Sequence, residues 1–141
     1  MTNGKLVGFK IVVVDDELTF QALMTMALSD EGAHVEAADD AQGGLDAVLR
    51  TRPDLLISDI SLPEQDGFWL RRQVKERAPD SNLASISLTG FSGPEAEQAS
   101  IEAGFDLTLV KPVDLDRLIE VVATLVRARS GQIAGASIKA Q

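Results

Sequence analysis

Three short apolar runs in this chain each stop on a charged residue. Residues 11–14 (Ile-Val-Val-Val) meet Asp15 and Asp16, residues 55–58 (Leu-Leu-Ile-Ser) meet Asp59, and residues 107–110 (Leu-Thr-Leu-Val) meet Lys111. Runs so short and so continuously apolar fit parallel strands covered on both faces. Two further strand candidates, His34–Ala38 and 83–88, join those at Lys10–Val14, 54–58 and 106–110. Amphipathic segments fill the gaps between them. Phe20, Leu23, Met24, Ala27 and Leu28 form one helical stripe, with Gly32 as a stop signal. Residues 41–51 form a second helix, capped by Asp40, with Pro53 beyond its end. Residues 67–78 form a third, closed by Pro79, and a fourth runs from Pro94 to Gly104. Asp114 caps a fifth, whose stripe is Leu115, Leu118, Ile119, Val122 and Leu125.

Alternation of five strands with five helices predicts an α/β fold, a doubly wound parallel sheet covered on both sides. Right-handed crossovers leave few strand orders, and the flavodoxin-like order 2-1-3-4-5 is the expected one. Its switch point lies between strands 1 and 3, where ligands bind beyond the carboxyl ends of the strands. Asp15, Asp16 and Asp59 all fall there. The 141 residues suit one domain at 9–129, with residues 1–8 as an extension and 130–141, rich in Gly, Ala and Ser, as a flexible tail.

A formal net charge of −9 repels nucleic-acid phosphates and anionic lipid, so neither is an expected direct partner. No apolar run approaches a membrane span, and a cytoplasmic protein is the expectation. The chain has no cysteine, which rules out disulfides and thiolate metal sites.

Unpaired carboxylates at the ends of buried strands are costly, and their clustering points to a site. Three acids and a lysine suit a divalent cation together with a phosphoryl group. Three carboxylate charges are balanced by a dication plus Lys111. Without the ion, mutual repulsion is expected to raise the pKa of at least one acid.

Four blocks fall in order, each at its own strand end: Val12-Val13-Val14-Asp15-Asp16-Glu17, Ser58-Asp59-Ile60-Ser61-Leu62-Pro63 with Asp66-Gly67, Ser87-Leu88-Thr89-Gly90, and Val110-Lys111-Pro112. Together they resemble the receiver domain of two-component response regulators, over nearly the whole domain. The resemblance implies that Asp59 takes a phosphoryl group from a phosphohistidine, or from a small phosphodonor. It implies that Mg2+, or Mn2+ or Ca2+ in its place, is held by Asp16, Asp59 and the backbone carbonyl of Ser61. Asp15 acts through a coordinated water. Thr89 and Lys111 contact the phosphoryl oxygens. The implied partners are a sensor histidine kinase or a histidine phosphotransfer protein, with the chain a monomer or weak dimer. It implies a signalling relay and no turnover of a separate substrate. The kinase is expected to dock on the first helix, where Met26 lies off the core stripe, and the output to pass around the fourth helix, fifth strand and fifth helix.

The pattern departs from the family at Thr108, where an aromatic residue that swings inward is usual. A small β-branched side chain cannot make that exchange, and Phe105 does not replace it. Phe91 is expected to screen the acyl phosphate from water, and Phe91 and Ser61 stand where the family tunes its lifetime. Residues 88–91 and 103–114 also resemble receivers of hybrid histidine kinases, which exchange phosphate with a phosphotransfer protein. Such a fragment is the alternative, whereas Met1 favours a stand-alone regulator. Two rivals lack support in the residues. An electron carrier of the flavodoxin type wants a Ser/Thr/Gly-rich phosphate loop after strand 1, where Asp15-Asp16-Glu17 stands. A magnesium-dependent phosphohydrolase wants a general acid and a substrate cap. A receiver used only for binding would not need its acids, Thr89 and Lys111 intact. Asp15 also reads as a cap for a helix starting at Glu17. Glu17, Glu64 and His34 read as solvated, Phe68 and Trp69 as packing residues, and residues 71–75 as a wet helix face.

Overall fold

Strands and helices alternate strictly in the computed structural model, which describes residues 4–130. The elements are β1 (Lys10–Val14), α1 (Leu18–Asp30), β2 (His34–Ala38), α2 (Ala41–Thr51), β3 (Leu55–Asp59), α3 (Gly67–Arg77), β4 (Ala84–Thr89), α4 (Pro94–Ala103), β5 (Leu107–Val110) and α5 (Leu115–Arg129). All five strands are parallel in the order β2-β1-β3-β4-β5, as the alternation predicts. The expected C-terminal tail falls outside the described residues from 131 onward.

Period-two alternation divides the sheet between two cores. Ile11, Val13, Leu55, Ile57, Ile86 and Leu88 face α1 and α5, joining Met24, Leu28, Leu118 and Val122. Val12, Val14 and Leu56 face α2 and α3, joining Leu45, Val48, Leu70 and Val74. Each such side chain, fully buried, contributes about 1.5–3 kcal/mol. The segment read as an N-terminal extension is part of this fold. Leu6 is fully buried in the first core, and its N–H donates to the Glu31 carbonyl at 2.8 Å.

Carboxylates start four of the five helices. Glu17, Asp40, Asp66 and Asp114 accept from the backbone N–H of Phe20, Gly43, Trp69 and Asp116 respectively. Glu17 therefore caps α1 in place of Asp15. Asp15 instead accepts from the Glu17 N–H at 2.9 Å, closing the turn before the helix. α3 stops at Arg77 because Ala78, its C-cap, precedes Pro79 and leaves the helical region. Strands β3, β4 and β5 each begin one residue later than expected.

Two side chains depart from their expected settings. Leu23 is exposed, because α1 turns only Met24 and Leu28 fully onto the sheet. Arg71 is half-buried rather than solvated, and its Nε donates to the Ser85 hydroxyl at 2.9 Å. Burial lowers the pKa of this guanidinium, against the raising effect of nearby Asp106.

α3 is pressed against the end of β3 through Gly67. A Cβ there would lie 2.4 Å from the Asp59 carbonyl oxygen and 2.9 Å from the Ile60 Cα. Both are backbone atoms, which cannot turn aside. Gly67→Ala is expected to lower unfolding stability by about 1–3 kcal/mol. Gly90→Ala, where a Cβ meets nothing within 4 Å, is expected to stay within about 0.5 kcal/mol. Urea denaturation midpoints of the two variants check this. Equal midpoints would show that α3 does not depend on that contact.

Candidate functional site

The register between β1 and β3 builds the site. Val14 pairs with Ser58, so the next residues, Asp15 and Asp59, leave the sheet side by side. Asp16 follows one residue on. Carboxylate oxygens of Asp15, Asp16 and Asp59 lie within 4.8 Å of one another. Asp15 is fully buried, Asp59 is 5% exposed, and Asp16 is open to solvent. Lys111 arrives from the end of β5. Its Nζ donates to Asp59 Oδ2 at 2.8 Å and reaches Asp15 Oδ2 at 3.4 Å. The ammonium also lies 5.5 Å from the centroid of the Phe20 ring. The four residues singled out by charge at strand ends therefore meet in space.

Burial raises the pKa of Asp15, opposed by the Glu17 N–H and assisted by the charge of Asp59. An upward shift was expected from repulsion between the acids, yet desolvation is its larger cause. Burial alone would lower the Lys111 pKa. The hydrogen bond and charge of Asp59, with the charge of Asp15, outweigh it and raise the value. Lys111 is therefore a firm cation facing two acids. An all-oxygen donor set with one exposed carboxylate suits a hard dication that keeps part of its water.

Other predicted residues lie at the same end of the sheet. Thr89 ends β4, is 6% exposed, and its hydroxyl accepts from the Phe91 N–H at 3.1 Å. The Ser61 N–H donates to Asp59 Oδ1 at 3.1 Å, fixing the turn that carries its carbonyl. The Phe91 side chain is 72% exposed. Thr108 is half-buried, and its hydroxyl meets Ser87 Oγ at 2.9 Å. Ser87 in turn meets Ser100 of α4 at 2.9 Å. This hydroxyl cluster joins β4, α4 and β5.

Several of these contacts were not foreseen from the residues. Ser87 and Ser100 read as ordinary strand and helix serines, because only folding brings them together. Gln21 lies in the first turns of α1, yet its amide reaches back to the ends of β1 and β2. Its polar type inside the apolar stripe 20–28 was the available signal. His34 is exposed, in keeping with a surface role, and Trp69 packs against the second core. Among the described residues, no helix is long and apolar enough to cross a membrane.

Comparison with known proteins agrees with this picture. The profile of the response regulator receiver domain matches residues 11–123. An uncharacterized 14.6 kDa protein of the sodA1 3′ region of Leptolyngbya boryana is 40% identical over 117 residues, spanning 83% of this chain and 89% of that protein. Response regulator MprA of Mycobacterium leprae is 32% identical over 129 residues, covering 92% of this chain but only 56% of MprA. Among solved structures, a CheY-like response regulator receiver domain protein of Methanospirillum hungatei superposes with a TM-score of 0.81 at 27% identity, over 91% of this chain and 99% of that one. Chemotaxis response regulator CheY4 of Vibrio cholerae gives 0.78 at 27% identity, over 85% and 98%. Because the profile runs from the first core strand into the last helix, the likeness is to a whole domain, and the chain belongs to the family of response regulator receiver domains, the signalling domains of two-component systems.

Proposed function

We propose that this domain accepts a phosphoryl group on Asp59 from a phosphohistidine and relays the signal by a change of conformation. The observation that carries this reading is the meeting of three carboxylates within 4.8 Å, with Lys111 2.8 Å from Asp59. Asp15, Asp16, Asp59 and the backbone carbonyl of Ser61 are the groups that would hold Mg2+, with Mn2+ or Ca2+ as substitutes. When bound, the ion supplies positive charge for the phosphoryl oxygens.

The chain's own residues do the rest. An Asp59 carboxylate oxygen attacks phosphorus in line, and the bond from phosphorus to the imidazole nitrogen breaks. The electron pair of that bond stays on the histidine. Lys111 exchanges its contact with Asp59 for one with a phosphoryl oxygen. The Thr89 hydroxyl donates to another, from a buried strand end that excludes bulk water. Such a transfer needs chiefly positioning and charge. Asp15, buried and held by the Glu17 N–H, keeps the acid turn in place behind the reacting carboxylate.

A cleft of about 450 Å³ lined by Glu17, Phe20, Lys111, Pro112 and Val113 opens beside Lys111. Exposed Leu18 and Met26 continue the apolar surface along α1. A sensor kinase or phosphotransfer protein would seat its histidine there. On the output side, the Ser87–Ser100–Thr108 hydroxyls stand in for a swinging aromatic ring. α4 buries only Ser100 and Ala103, so little apolar surface resists its movement.

Phosphoryl transfer from a phosphorylated histidine phosphotransfer protein is expected to require both Asp59 and a divalent ion. Asp59→Asn, or a chelator, should reduce acyl phosphate formation to background in a radiolabel transfer assay. Transfer at an undiminished rate in either case would contradict the reading.

The raised pKa of Asp15 has a sign that can be checked without a phosphodonor. Folding holds its proton more tightly than the unfolded chain does. Native stability from this group is therefore greatest below the ordinary carboxylate value of 3.8 and falls as pH rises through the folded pKa. In chelator, Asp15→Asn should melt near the wild type at low pH and above it at neutral pH. A gap that shrinks as pH rises would reverse the assignment.

A further inference from the structure

Gln21 grips the ends of two strands at once. Its side-chain nitrogen donates to the Asp15 carbonyl at 3.0 Å and to the Ala38 carbonyl at 3.0 Å. Two carbonyl acceptors admit only the NH2 end of an amide, so the chemistry fixes its orientation. The Asp15 N–H donates to the same Ala38 carbonyl at 3.1 Å. That bond lies just past the last paired residues of β1 and β2, Val14 and Ala38. The Gln21 amide adds a bridge where the two strands part.

The turn between β1 and α1 is thereby fastened along its length. The Asp15 carbonyl is held by the Gln21 side chain and the Glu17 carbonyl by the Gln21 backbone N–H at 3.0 Å. The Glu17 N–H is held by Asp15 Oδ1. Asp16 lies in the middle, exposed, and among the described residues its carboxylate makes no hydrogen bond. Only the backbone of this turn sets where that carboxylate points. A side chain on α1 that touches neither Asp16 nor Asp59 thus governs their spacing.

We propose that Gln21 is a positioning residue for the acid cluster, setting the divalent-cation affinity through the backbone of the turn at 15–17. The proposal rests on the cation reading given under Proposed function. A purely structural role would lower stability and leave the affinity of the folded protein unchanged. Outer partners of metal ligands typically account for 10–100-fold in affinity, and an effect relayed through backbone belongs at the lower end.

The test is calorimetric titration of Mg2+ alone into the full chain, well below each protein's melting temperature. Gln21→Met keeps the length of the side chain and removes both donors. Val126→Ala leaves a cavity in α5, which packs against the opposite end of the sheet, and serves as a destabilised control. Gln21→Met should bind Mg2+ about ten-fold more weakly than the wild type, and Val126→Ala within about two-fold of it. A Gln21→Met affinity within about two-fold of the wild type overturns the positioning role, whatever its melting temperature. A wild type that takes up no Mg2+ overturns the cation reading itself, and the proposal with it.

Discussion

The pairing of β1 with β3 is the constraint on which the site depends. Parallel register sets Val14 beside Ser58, and chain geometry then delivers Asp15 and Asp59 to the same point. Two carboxylates so placed repel, and burial of Asp15 adds a desolvation cost. Apolar packing on both faces of the sheet supplies the opposing energy. Leu55, Leu56 and Ile57 of β3 are fully buried, as are Val13 and Val14 of β1. Neither strand can slip by a residue without turning these side chains to the wrong face. Lys111 offsets part of the repulsion, having been carried to the site by the outermost strand of the sheet.

The rest of the sheet shows how polarity is tolerated when it is satisfied. β4 turns Ala84, Ile86 and Leu88 to the α1–α5 core. Its other face carries Ser85, Ser87 and Thr89, all buried. Ser85 meets Arg71, Ser87 meets Ser100 and Thr108, and Thr89 meets the Phe91 N–H. A helix held on hydroxyls moves more cheaply than one held on leucines, because each hydrogen bond contributes only about 0.5–1.5 kcal/mol net and can be exchanged for another. α4 is that helix. Thr108, the departure from the family pattern, is thus consistent with the serines around it.

Most of the fold was legible in the residues, because its signals are local. Asp40 and Asp114 mark helix starts, Gly104 and Pro79 mark ends, and the apolar runs mark strands. The site was legible for the same reason: Asp15, Asp16, Asp59 and Lys111 each break an apolar run at a strand end. What the residues did not disclose is tertiary. Asp15 reads as a helix cap until Glu17 is seen to take that role. Leu23 fits the periodic stripe of α1 yet is exposed, because the sheet reaches only part of the helix. Arg71 reads as solvated among its charged neighbours until Ser85 is found opposite it. The Gln21 bridge joins α1 to the end of β2, a pairing that no spacing in the sequence encodes.

The central claim is that the acids at 15, 16 and 59 form one cation site. Anomalous diffraction from crystals equilibrated with Mn2+ tests it most directly. The account predicts an anomalous peak bounded by the Asp16 and Asp59 carboxylates, on the side of the Ser61 carbonyl. Crystals that take up Mn2+ elsewhere and show no peak between those carboxylates would contradict it.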